Sequence, residues 1–206
     1  MTYIELRDSM KDFTVFSVRE ILRVDPAFHR RRLNEWQDKG YIRKVVKGFY
    51  IFADRALDEW ALFEIANRIY KPSYVSLESA LAYYQLIPES VYGITSVSTR
   101  RSYRFPSAVA DLRYRTVKPR LYFGYDLAAG GAKRVKIARP EKAILDFLYL
   151  NPRLRSEADF ESLRLDAERF FHLVDDSKLR TALARFAQKT LTARAERFLA
   201  YLRRAG

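Results

Sequence analysis

The sequence predicts an α+β protein: an N-terminal winged helix-turn-helix, followed by a mixed α/β domain with an antiparallel sheet and a C-terminal helical bundle. Three observations carry this expectation. Residues 1–54 read as helix, short helix, helix and hairpin, which is the winged helix-turn-helix order. Residues 91–138 carry β-rich runs separated by turn residues. Residues 153–205 contain neither Gly nor Pro and show helical apolar spacing, as in Phe160, Leu163, Phe170 and Phe171. The 206 residues suffice for two domains, placed at 1–54 and 55–206, the second strand-rich over 91–138 and helical over 140–206.

Residues 3–12 suit a short amphipathic helix anchored by Ile4, Leu6 and Met10. Ser17 and Glu20 have capping-box spacing, with Phe16 and Ile21 at the staple positions, so a second helix starts at Ser17 and runs to about Arg23. Asp25 suits an N-cap, Pro26 a first helical position and Gly40 a C-terminal stop, which predicts a third helix over 26–39. Two β-rich runs, 41–46 and 49–52, flank Lys47–Gly48 as a hairpin.

A wheel of the third helix, at about 100° per residue, puts Leu33 and Trp36 inward with His29 on their face. Ala27, Arg31, Asn34 and Asp38 lie opposite; Phe28, Arg30 and Glu35 sit on the shoulders, and Arg32 runs along the core edge. If this helix enters a major groove, Arg31 suits guanine's paired acceptors and Asn34 suits adenine. Arg30 and Arg32 then meet phosphates, and Phe28 shares their surface. Lys44 and Lys47 on the wing, with Ser17 and Arg19 at the start of the second helix, hold the DNA backbone. A merely solvated charged face is the plain alternative.

Residues 58–70 predict an amphipathic helix ended by Lys71–Pro72; Ser76 caps another that reaches about Leu86, closed by Pro88. Strands are expected at 91–99, 103–106, 112–118, 121–127 and 133–138, with Gly130–Gly131 turning the last two. The tract 97–142 has a net charge of +9, against −3 for 53–96, within a chain total of +13. Arg100, Arg101, Arg104, Arg113, Arg115 and Lys118 form its basic surface, interleaved with Tyr103, Phe105, Tyr114, Tyr122 and Phe123. Such a surface fits nucleic acid or an acidic protein, and fits equally an ordinary sheet with arginines outward. Helices are expected over 140–150, 157–172, 176–188 and 191–204.

Charge of this sign and size favours an acidic partner, nucleic acid first. There is no cysteine and there are two histidines, His29 and His172, so no metal site and no cofactor is expected. No phosphate-binding loop, dinucleotide glycine pattern or nucleophile elbow is present, and no enzymatic activity is expected. Glu141 complements its helix dipole, which explains it better than acid chemistry does; Asp146 is the other acidic candidate on that helix. The N-terminus lacks an apolar signal core and no run approaches membrane-spanning length, which predicts a cytoplasmic protein with no membrane partner.

Four stretches together resemble a known family. KGFYIF, YVSLESALAYYQLIP, TSVSTRRSYRF and IARPEKAILDFLYL, in this order over roughly the first 150 residues, resemble the AbiEi-type antitoxins of type IV toxin–antitoxin and abortive-infection systems. The helical tail beyond matches only in kind. Arg139 stands where the family often has a small capping residue, which predicts a weaker cap. The resemblance implies a winged domain that binds operator DNA with inverted repeats and represses its own operon. It also implies a C-terminal domain that counters a cognate nucleotidyltransferase toxin, in many members without a stable complex. Inverted half-sites would call for two protomers on DNA. Two further readings stay open: an antitoxin that binds its toxin directly with little DNA binding, and a ligand-responsive winged-helix regulator.

Overall fold

The computed structural model describes residues 1–88, 93–130 and 133–205. It is a mixed α+β structure with two sheets. The first 52 residues form α1 (Tyr3–Met10), β1 (Phe16–Ser17), α2 (Val18–Val24), α3 (Arg31–Asp38), β2 (Ile42–Val46) and β3 (Phe49–Phe52). β1 pairs antiparallel with β3, which pairs antiparallel with β2, so the expected hairpin gains a third strand too short to carry a periodic signal. Leu6 and Met10 anchor α1 in the core, but Ile4 is 70% exposed, which corrects its assignment as an anchor.

α2 starts as the spacing predicts. The Ser17 hydroxyl accepts the Glu20 amide at 3.3 Å and the Glu20 carboxylate accepts the Ser17 amide at 2.6 Å. α3 is shorter than predicted. Asp25 does not open it; the Asp25 carboxylate accepts the Ala27 amide at 3.0 Å and its carbonyl accepts the Phe28 amide at 3.1 Å, which folds 25–28 into a turn. The Asp-Pro pair thus makes a turn before the helix, and the first helical residue is Arg31. Leu33 and Trp36 face inward as expected.

The rest of the chain continues with α4 (Glu59–Ile69), β4 (Ser73–Val75), α5 (Leu77–Tyr83), β5 (Gly93–Ser98), β6 (Tyr103–Phe105), β7 (Asp111–Thr116), β8 (Tyr125–Gly130), β9 (Lys133–Ala138) and α6 (Pro140–Leu150). Four helices come after it: α7 (Glu157–Glu161), α8 (Ala167–Leu173), α9 (Asp176–Phe186) and α10 (Lys189–Ala205). The second sheet runs β6-β7-β5-β4-β9-β8. It is mixed, not antiparallel as expected, because β4 pairs parallel with β9 and β5 pairs parallel with β7. β4 is the strand that escapes sequence reading: three residues, all buried, with no alternation to betray them. Residues 91–92 of the first expected strand and Gly131 of the expected turn lie outside the described residues. The expected strand 121–127 begins as a 3₁₀ turn, Pro119–Leu121, and is extended only from Tyr125. The predicted helix 157–172 breaks in two where Arg164 adopts φ 49°.

One buried cluster lies within the first 52 residues, built on Phe16, Phe28, Trp36 and Phe52. A larger one spans the remainder and also takes in Val15, Val45 and Ile51, so the N-terminal elements share a core with the rest of the chain. α6, packed against α9 and α10, sits deep in that larger core.

Candidate nucleic-acid interface

The start of α2, the exposed side of α3 and the β2–β3 turn surround one groove of about 670 Å³. Gly48, at φ +84°, closes the tight turn, and its carbonyl accepts the Val18 amide at 3.1 Å, which fixes the turn against α2. That φ suits glycine, because a residue with a Cβ is strained there by its own backbone. Ser17, Arg19, Arg30, Arg31, Asn34 and Lys47 line the groove, over a floor that includes Leu33 and Tyr50. No carboxylate is among its lining residues. Arg31 is held only loosely, by Glu35 one turn on at 3.7 Å, with its side chain 89% exposed.

Six of the nine residues expected to meet DNA therefore converge, and three do not. Phe28 is 6% exposed and packs on Trp36 with ring centroids 5.7 Å apart, so it belongs to the core. His29 is exposed, not inward, because residue 29 precedes the helix on whose wheel it was placed. Arg32 runs along the core edge as expected, but its guanidinium donates to the Met1 carbonyl and does not line the groove. Lys44 is exposed on β2, outside the groove.

The second basic surface is less free than its composition suggests. Arg104 and Arg113 face each other across β6 and β7 and both bond Asp111, at 2.8 and 2.7 Å, which holds that carboxyl below its ordinary value. Arg115 donates to the Leu150 carbonyl at 2.8 Å. Arg100 lies 4.4 Å over the Tyr70 ring and Arg101 5.6 Å over Tyr103. Lys118 is exposed. Among the aromatics, Tyr114 is buried with its hydroxyl on the Ala66 carbonyl at 2.8 Å, so it serves the core.

Sequence reasoning misses a buried polar network. Tyr74 on β4, Ser76 after it, and Lys142 and Asp146 on α6 are each at most 1% exposed. The Tyr74 hydroxyl donates to Asp146 and accepts from Lys142, both at 2.8 Å; Ser76 donates to Asp146 at 3.0 Å; Lys142 pairs with Asp146 directly. Burial pushes the Asp146 carboxyl up and the Lys142 ammonium down, against their mutual attraction. The network joins β4 to α6, and its Lys142 also lines a cleft of about 410 Å³ with Arg139, Ser177 and Arg185. The network's one sequence signal is the i, i+4 spacing of Lys142 and Asp146. Glu141 is likewise buried, accepting the Asp175 amide at 3.1 Å.

Among the described residues no group of His, Asp and Glu side chains could hold a metal ion, and no helix is long and apolar enough to cross a membrane. No family model matches the chain, and no curated protein matches it. Its fold is similar to that of a solved structure described as the RV2827C protein from Mycobacterium tuberculosis. The two are 14% identical, with a TM-score of 0.61, over 98% of this chain and 78% of that one.

Proposed function

We propose that this chain is a DNA-binding transcriptional autorepressor and an antitoxin, with residues 1–54 acting as a winged helix-turn-helix. The single observation that carries the DNA half is the groove in which Arg19, Arg30, Arg31, Asn34 and Lys47 converge with no carboxylate among them. A helix such as α3 is about 10–12 Å across with its side chains, which suits the ~12 Å width of a B-DNA major groove. Arg31 and Asn34, exposed on that helix, read base edges. Arg19, Arg30 and Lys47 take phosphates on either side. The antitoxin half, against a nucleotidyltransferase toxin, is supported by the resemblance of KGFYIF, YVSLESALAYYQLIP, TSVSTRRSYRF and IARPEKAILDFLYL to the AbiEi-type antitoxins. On inverted repeats two protomers would bind, one per half-site.

The test is fluorescence anisotropy with duplex DNA from upstream of the chain's own gene. Arg31→Ala is expected to weaken specific binding by about 1–3 kcal/mol and to relax preference at one base position. Unchanged affinity in that variant would remove α3 from recognition. For the antitoxin half, a nucleotidyltransferase toxin encoded beside the chain's gene is expected, and co-expression with it should restore growth; no such gene, or no rescue, sinks it.

A further inference from the structure

A second cleft, of about 410 Å³, lies between α4, β4 and the β8–β9 pair. Lys71, Arg134 and Lys136 line it, and none of the three has a carboxylate within ion-pair distance among the described residues. Ser73 lines it too; that residue is 3% exposed, and its hydroxyl is buried with no hydrogen-bond partner. A buried hydroxyl without a partner is costly. Together with the unpaired Lys71 and Arg134 it leaves donors available for an anion, while the Lys136 ammonium lies 5.3 Å over the Tyr125 ring. One wall is rigid, because Asn67 on α4 accepts the Lys136 amide at 2.6 Å and donates back to the Lys136 carbonyl at 3.3 Å.

The cleft also holds Arg68 and Glu64. Arg68 pairs with Glu64 at 3.8 Å and, across to α2, with Glu20. Glu20 is the carboxylate that accepts the Ser17 amide and completes the α2 capping box. Ser17 and Arg19 line the DNA groove. A single ion pair, Arg68–Glu20, therefore stands between the cleft and the groove.

We propose that this cleft binds the phosphoryl group of a small phosphorylated molecule, and that occupancy draws Arg68 from Glu20 and loosens the start of α2. Phosphate suits the donor set: guanidinium forks, ammonium groups and a hydroxyl all favour its charged oxygens. The volume is that of a small-ligand site. Because a site and an effector couple reciprocally, DNA in the groove would in turn weaken the ligand. That regulatory consequence rests on the DNA-binding reading; phosphoryl binding itself does not.

The experiment titrates inorganic pyrophosphate into the full chain at constant ionic strength, by calorimetry, and follows hydrogen exchange of α2 without DNA. Saturable binding is expected. The double variant Lys71→Ala/Arg134→Ala, which removes two exposed side chains and spares the core, should weaken it about tenfold or more, as loss of charge-assisted hydrogen bonds does. Ser73→Ala should weaken it as well. Exchange of the Val18–Val24 amides should rise at saturation. Absent binding, or equal affinity in the double variant, overturns the site. A short oligonucleotide that displaces the pyrophosphate from an Arg31→Ala/Lys47→Ala variant, whose groove has lost its DNA contacts, would assign the cleft to nucleic acid instead. Unchanged α2 exchange at saturation overturns the coupling. No arm requires operator binding, so failure of the DNA reading would be seen separately.

Discussion

Arg30, Arg31 and Arg32 are adjacent in the chain and end in different environments. Arg30 and Arg31 line the groove, while Arg32 is tied to a backbone carbonyl. Phe28 moves from the wheel's shoulder into the core and His29 from its inward face to the surface, because the wheel holds only where the backbone is helical, and α3 starts at Arg31. Chemical denaturation distinguishes them. Phe28→Ala should cost about 3–5 kcal/mol, as emptying a core aromatic site does, and His29→Ala should stay within about 0.5 kcal/mol as a surface change. The buried network behaves differently from either. Asp146→Ala leaves the Lys142 ammonium 1% exposed and unpaired, which should destabilise by about 3–5 kcal/mol.

Among elements, α5 shows how a cap can be supplied from elsewhere. Ser76 stands at its N-cap as the sequence predicts but makes no cap bond; its hydroxyl goes to Asp146. The Thr95 hydroxyl on β5 accepts the Ser79 amide at 3.0 Å in its place. Leu77 starts the helix at φ 57°, a conformation L-residues rarely adopt, and the bonds on both sides hold it there. Thr95→Val should therefore act as a lost cap and leave a buried amide unsatisfied, at a cost of about 1–3 kcal/mol. α7 has the ordinary arrangement. Asp159 accepts the Ser156 and Arg155 amides at 2.7 and 2.8 Å, and these bonds pull its carboxyl down from its ordinary 3.8 to about 2. A depressed pKa adds stability above the unfolded value, and that stability is lost as pH falls through the folded one. The difference in denaturation midpoint between the native chain and Asp159→Asn should be full above pH 3.8 and shrink toward pH 2. α6 opens without a side-chain cap, in keeping with the weak cap expected of Arg139, whose guanidinium bonds Asp126 at 2.8 Å instead.

For the whole molecule, charge is the property with the widest reach. A net +13 should make DNA binding steeply salt-dependent, with log affinity falling by about 0.9 per phosphate neutralised for each log unit of salt. Lys47→Ala, at a residue proposed to meet phosphate, should lower that slope by about 1 without changing sequence preference. Arg115→Ala should leave the slope unaltered, since Arg115 stands on β7 and does not line the groove. Anisotropy at graded salt checks both. A different result for Arg115 would return the sheet to the nucleic-acid surface.

Read alone, the sequence determined what is local. It placed the α2 capping box, the Lys47–Gly48 turn, the inward Leu33 and Trp36, and most helices and strands, because caps, turns and periodicity act over a few residues. It also carried the convergence of six groove residues, since helix, helix and hairpin lie within 52 consecutive positions. Tertiary structure alone decided the rest. The parallel pairing of β4 with β9, the Tyr74–Ser76–Lys142–Asp146 network and the cleft of Lys71, Ser73, Arg134 and Lys136 each join residues about 60 or more apart, and the parallel pairing of β5 with β7 passes over the intervening β6. Such contacts are selected by burial and hydrogen-bond satisfaction in the packed molecule, and no short stretch of sequence records them.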